Sequence, residues 1–157
     1  MQPTHLKKTA NIDMYSKLEG YVLSNYSMGM LGDNVDNFFR DIKQNREVIC
    51  KLSKSPLSVE KLTQHRLVLT TYLNEILTIK SKMTFGKQSY SCKIGFCWTD
   101  TITNEEWKSY NIYFEIYNCL YNLRVIYYTI RNNLAKTHNC LVTFDLLSQK
   151  DKEKDDD

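Results

Sequence analysis

The apolar positions of this chain change rhythm several times, and each change predicts a boundary. Met14, Leu18, Tyr21 and Val22 fall at helical spacing, and Asp13 just ahead of them can accept from the orphan N–H groups of a first turn. Residues 4–9, before it, read as a strand or an extended arm. Gly29 and Gly32 interrupt the pattern, so residues 27–32 read as a loop. A second helix begins near Asp33. There Val35, Phe38, Phe39, Ile42, Ile49 and Leu52 form one stripe, with Asp36, Arg40, Asp41, Lys43, Gln44 and Glu47 outside it. Burying each large member is worth about 1.5–3 kcal/mol. Residues 53–58 form a connector, because Pro56 pushes the residue before it out of the helical region. A third helix over residues 58–79 has its stripe at Leu62, Leu69, Leu73 and Ile76, and residues 80–88, with Gly86, read as a loop.

The period then drops to two. Cys92, Ile94, Phe96 and Trp98 share one face of a predicted strand. Residues 100–108 are polar and turn-like. Tyr110, Ile112 and Phe114 alternate again, which predicts a second strand pairing back on the first, with residues 6–9 as a candidate third. From Glu115 the pattern returns to helix through Ile116, Cys119, Leu120, Leu123, Ile126, Tyr127 and Ile130, and ends near Leu134. Residues 140–147 are a short apolar run of unassigned type. The charged, low-complexity tail reads as disordered. The expected class is α+β, mostly α-helical: N-terminal helices, a small antiparallel hairpin or three-stranded sheet, then a further helix.

Composition narrows the function classes. The 157 residues are 42% hydrophobic, enough for the core of one domain. No apolar segment suits a signal peptide or a spanning helix, so a soluble cytoplasmic protein is expected. Cys50, Cys92, Cys97, Cys119 and Cys140 form no C-x-x-C pair and no zinc spacing, which fits reduced thiols and predicts no metal. The net charge is +3, but residues 150–157 hold three lysines against five acids, a net of −2, leaving +5 on the rest. That is too mild for a nucleic-acid binder.

Two blocks then carry a resemblance. One runs from Ile94 to Asp100 and holds Phe96, Trp98 and Asp100. The other runs from Phe114 to Asn122 and holds Phe114, Glu115, Leu120, Tyr121 and Asn122. Together they resemble the N-terminal part of the Bro domain of Alix-like endosomal-sorting proteins. That family has a strand ending in phe-x-trp-x-asp, a loop, a second strand ending in an aromatic and a glutamate, and a helix containing leu-phe-asn. Tyr121 stands here in place of the phe. Leu6, Lys7, Lys8 and Thr9, followed by Asp13, resemble the family's opening strand and first helix cap. Tyr72, Leu73, Ile76, Lys82 and Phe85 resemble the end of its third helix and the loop into the hairpin. The resemblance covers about residues 6–134. The chain departs from it at residues 123–127, where the family carries small residues that let helices pack closely.

The resemblance implies that residues 1–147 are the N-terminal portion of a longer domain, with the last helix opening a truncated tetratricopeptide-like array and residues 148–157 a charged tail. It implies a cytoplasmic, endosome-associated interaction scaffold of ESCRT-dependent multivesicular-body sorting. The implied partner is the C-terminal helix of an ESCRT-III subunit, gripped by the complete domain on helices beyond this chain. No enzyme activity, cofactor, metal, nucleic acid or small-molecule substrate is implied. The alternatives are a rhophilin-like signalling adaptor, an enzyme with an unrecognised site, and a truncated fragment without independent function.

Phe96 and Trp98 read as hairpin core, Asp100 as a turn holder, Glu115 as a structural carboxylate at a helix start, and Asn122 as a tie to a backbone group. Trp107 and Lys108 read as a membrane contact at the hairpin loop, an aromatic beside a cation suiting a headgroup layer. The family's loop has been linked to lipid as well. The alternative is that Trp107 folds back on the hairpin. His5, His65 and His138 are isolated, and no nucleophile elbow or phosphate-binding loop is present. Asn25, Tyr26 and Ser27 spell a glycosylation sequon that a cytoplasmic chain would not use.

Overall fold

A computed structural model of the chain describes residues 5–25, 32–56 and 58–154, with side chains described through residue 137. Most of the loop expected at residues 27–32, and two of the three sequon residues, lie outside that set. Among the described residues there are four helices and three short strands: β1 (Lys8–Thr9), α1 (Met14–Asn25), α2 (Asp33–Ser53), α3 (Val59–Lys80), β2 (Phe96–Thr99), β3 (Glu106–Ser109) and α4 (Ile112–Lys154). The architecture is the mostly helical α+β class that the sequence predicts.

Local chemistry sets the helix starts. The Asp13 carboxylate accepts from the Ser16 N–H at 3.2 Å and opens α1. Asp33 and Asp36 sit in the first turn of α2, where the helix dipole favours negative charge. Ser58 accepts from the Lys61 N–H at 3.3 Å and caps α3. α1 packs on α2, α2 on α3 and α3 on α4, while β1 lies against α2 and β2 against α4. Met14, Leu18, Ile42, Ile49, Leu69 and Ile76 are fully buried between these layers. Val35, expected in the α2 stripe, is exposed.

The sheet is antiparallel, ordered β1-β2-β3, with Thr9 opposite Trp98 and Trp98 opposite Trp107. The predicted parity holds on β2 and just before it: Ile94, Phe96 and Trp98 are all buried. The third strand also forms as predicted. As an edge strand, β1 needs partners for its outward backbone groups. Asn122 supplies them at Lys7, its amide accepting from the Lys7 N–H at 2.8 Å and donating to the Lys7 carbonyl at 2.9 Å. Ser53 Oγ and Cys50 Sγ do the same for the N–H and carbonyl of Thr9, at 3.3 and 3.1 Å.

Three expectations are corrected. The second strand is β3, at residues 106–109, and not residues 110–114. The turn is tight, with Asp100 Oδ1 accepting from the N–H groups of Ile102 and Thr103 at 2.8 and 3.0 Å and Asn104 in the left-handed region at φ 60°. It therefore releases the chain into the strand earlier. Tyr110, Ile112 and Phe114 alternate over only three members, too few to outweigh Asn111. The Asn111 side chain accepts from the Tyr113 N–H at 2.9 Å, and α4 begins at Ile112 instead of Glu115. That helix also does not stop near Leu134. It continues to Lys154, through residues 140–147 and into the charged tail, because no glycine or proline interrupts it. Among the described residues, no helix is long and apolar enough to cross a membrane.

α3 holds a second signal on its buried stripe. His65 lies between Leu62 and Leu69, is buried, and its Nε2 has no hydrogen-bond partner. Burial holds its pKa down at about 4, against about 6.5 for a free imidazole. The unfolded chain therefore binds the extra proton first. Stability contributed by neutral His65 is complete above about pH 6.5 and is lost as the pH falls towards 4, by at most about 3 kcal/mol. Urea unfolding across that window should show His65→Leu losing less stability on acidification than the parent. Equal losses would mean that His65 is not the group that titrates.

Candidate functional site

Four residues that carry the family resemblance, Thr9, Tyr72, Trp98 and Glu115, meet at one buried junction. Glu115, in the first turn of α4, is fully buried and its two oxygens are shared among three elements. Oε2 accepts from Arg46 Nε of α2 at 2.8 Å and from the Tyr72 hydroxyl of α3 at 2.6 Å. Oε1 accepts from Trp98 Nε1 of β2 at 2.6 Å. Arg46 spends its remaining donors on β1 and the residue after it: Nη2 reaches Thr9 Oγ1 at 2.7 Å and Nη1 the Ala10 carbonyl at 3.2 Å. The Thr9 hydroxyl passes the chain on by donating to the Cys97 carbonyl at 2.7 Å. The guanidinium also lies 5.6 Å from the centre of the Trp98 ring. One carboxylate and one guanidinium thus join α2, α3, α4, β1 and β2.

The electrostatics are those of a closed structural pair. Burial opposes the charge on Arg46, but the adjacent Glu115 carboxylate outweighs it and holds the guanidinium protonated. Burial, and then Glu115, push the Tyr72 phenol well above its ordinary range. Burial raises the Cys119 thiol in the same way, which makes it inert as a nucleophile. Arg46 Nε, Nη1 and Nη2, the Tyr72 and Thr9 hydroxyls and Trp98 Nε1 each donate to an acceptor within or beside the cluster. Arg46 was not singled out in the sequence, although a signal was there. It falls four residues after Ile42 and three before Ile49, on the apolar stripe of α2.

Phe96 and Trp98 sit in the core, and Asp100 holds the turn. Phe114 is half-buried, and Asn122 closes the β1 edge. Leu120 is exposed, and the half-buried Tyr121 ring lies 4.4 Å under the Lys7 ammonium. At residues 123–127, where small residues were expected from the resemblance, Val125 and Ile126 are buried while Arg124 and Tyr127 point outward.

Trp107 and Lys108 are not at a loop tip. Both lie on β3, so their side chains leave opposite faces of the sheet. Trp107 is 61% exposed. With Lys7, Phe114 and Tyr117 it lines a groove of about 320 Å³ between the sheet and α4. The Lys7 ammonium in this groove contacts the Tyr117 and Tyr121 rings and donates to Asn118 Oδ1 at 3.1 Å, and burial lowers its pKa. Lys108 lies over Gly95 and near the Tyr110 ring on the other side.

Compared with known families, residues 1–139 match the BRO1-like domain, and the chain belongs to that family, a family of protein-interaction domains. No curated protein matches it.

The junction predicts its own energetics. Arg46→Met should cost about 3–5 kcal/mol, because it strands a buried carboxylate. Adding Glu115→Gln should recover part of that loss, since the amide still accepts from Trp98 or Tyr72. Denaturant unfolding of the two single variants and the double variant gives the coupling. Strictly additive losses would show that the pair is not one unit.

Proposed function

We propose that this chain forms the base of an endosome-associated scaffold of the ESCRT pathway, which in a complete domain binds the C-terminal amphipathic helix of an ESCRT-III subunit. The observation that supports this reading is the convergence of Tyr72, Trp98 and Glu115, all of them positions that resemble the family, on the junction from which α4 leaves the body. A helix-in-groove site needs several apolar anchors on a rigid concave surface. The role of residues 1–147 in this reading is to fix α4 as the first wall of such a surface. Further helices would supply the opposite wall. A rhophilin-like signalling adaptor would use the same base with a different partner.

A second reading rests on Trp107. A membrane that meets the free edge of β3 would take the Trp107 ring from one face of the sheet and the Lys108 ammonium from the other, with both side chains reaching headgroups. This contact would be peripheral and would assist recruitment to the endosome.

Titrating a fluorescent ESCRT-III C-terminal peptide into the 157-residue chain and into a chain extended to a complete domain tests the first reading. The extended chain should bind and the short one should not, by about ten-fold or more in Kd. Equal affinities would place the partner site within these residues. For the second reading, Trp107→Ala should weaken sedimentation with anionic liposomes while the Tm stays nearly constant. A Tm several degrees lower with liposome binding intact would make Trp107 a packing residue.

A further inference from the structure

The two edges of the sheet are finished differently. At the β1 edge, Asn122, Ser53 and Cys50 take up the outward backbone groups of Lys7 and Thr9. The β3 edge has no such cover. The bonds inside the sheet show which of its groups face outward. The Asp100 N–H donates to the Glu105 carbonyl at 2.9 Å, and the Cys97 carbonyl is taken up on the β1 side by the Ala10 N–H at 3.3 Å and the Thr9 hydroxyl at 2.7 Å. Bonded pairs alternate along an antiparallel ladder, so Trp107 turns its backbone groups inward, to Trp98 of β2. Glu106 and Lys108 therefore turn theirs outward, and among the described residues nothing bonds to these N–H and carbonyl groups. The side chains leave room for a neighbour. Trp107 points to the helix side of the sheet, as its buried opposite Trp98 does, yet it is 61% exposed, so α4 stops short of covering β3. Glu106 and Lys108 point to the other side and are exposed. Glu106 lies beside the Cys97 thiol and Lys108 is 5.5 Å from the Tyr110 ring centre, but among the described residues neither is in an ion pair.

We propose that β3 pairs with β3 of a second copy of the chain, antiparallel about a two-fold axis at Trp107, so that two three-stranded sheets join into one of six strands. The strand is complementary to itself in this register. Glu106 stands opposite Lys108 of the other copy, Lys108 opposite its Glu106, and Trp107 opposite its Trp107. The two Glu106–Lys108 positions are the hydrogen-bonded pairs, so the outward N–H and carbonyl of both residues in both copies are satisfied together. Opposite charges directly across an antiparallel pair stabilise it, and here two such pairs form on the open face. On the helix side the two indoles meet at the closer, non-bonded position, with Cα atoms about 4.5 Å apart. At the flanks Glu105 meets Ser109 and Asn104 meets Tyr110, so no like charges are opposed. A strand that fits this edge antiparallel must read acidic, aromatic, basic, and β3 reads Glu106, Trp107, Lys108. Parallel and in register, the same edge would set like charges side by side. The contact is short, so it belongs with transient interfaces, with a Kd on the order of 100 µM.

Sedimentation equilibrium of the full chain up to ~500 µM tests this, since most of it should then run above the 18.5 kDa monomer mass and approach twice that value. Glu106→Lys alone and Lys108→Glu alone oppose like charges at both bonded positions, and each should weaken the dimer about ten-fold or more. Mixed one to one, the two variants are complementary again and should associate as the parent does. The double variant Glu106→Lys with Lys108→Glu should dimerise on its own. Both positions are exposed, so the Tm of each variant should match the parent, and Lys108→Pro, which deletes one outward N–H, should also abolish pairing. A parent chain that stays monomeric at ~500 µM would overturn the proposal and leave the edge to a membrane or to a strand of another protein. A dimer that survives both single variants, or a mixture that fails to associate, would overturn it as well and place the contact elsewhere.

Discussion

The carboxylate of Glu115 is the constraint on which the rest of the structure depends. It has been taken out of water completely, a placement that is tolerable only because each oxygen is saturated by donors held in fixed geometry. Those donors come from α2, α3 and β2, and Arg46 carries the link on to β1. A helix can slide along an apolar surface at modest cost, but it cannot slide here without uncovering a buried charge. The junction therefore supplies registry in addition to stability. It fixes where α4 starts and along which line it leaves the body.

The same helix shows how buried polarity can shape an element without weakening it. The inward face of α4 runs through Ile112, Glu115, Asn118, Cys119, Asn122, Val125 and Ile126. Three of these seven are polar, and each has a task. Glu115 holds the junction, Asn118 accepts from Lys7, and Asn122 completes the edge of β1. The outward face carries exposed tyrosines and leucines. α4 is thus specified on one side by hydrogen bonds and is apolar on the other. That arrangement suits a scaffold, whose apolar surface must stay presented to a partner instead of collapsing into its own core.

This inversion explains what the sequence disclosed and what it hid. The first three helices and β2 were legible because their apolar stripes face the core, with Asp13 and Ser58 capping α1 and α3 and acidic residues in the first turn of α2. The parity of Ile94, Phe96 and Trp98 was legible for the same reason. The start of α4 was hidden because polar residues occupy its buried positions, and a three-residue alternation at Tyr110, Ile112 and Phe114 imitated a strand. Its end was hidden because helix continuation past Leu134 depends on the absence of breakers more than on any periodic core signal. Arg46 and His65 were hidden by a habit of counting charged and polar residues as outside the stripe, although their spacing placed both within it. The placement of Trp107 and Lys108 in a loop missed by a shift of strand position, since both lie on β3, where neighbours face opposite ways.

The central claim, that Glu115 ties β1, the sheet and the start of α4 into one cooperative body, is tested most directly by hydrogen exchange on the full chain with and without Glu115→Gln. In the parent, amides of β2 and of residues 116–126 should open with the same free energy as those in the middle of α2 and α3. In the variant, protection of β2 and of the first turns of α4 should fall together. If residues 116–126 lose protection while β2 keeps its own, or if neither changes, the junction is a local contact and the account built on it is wrong.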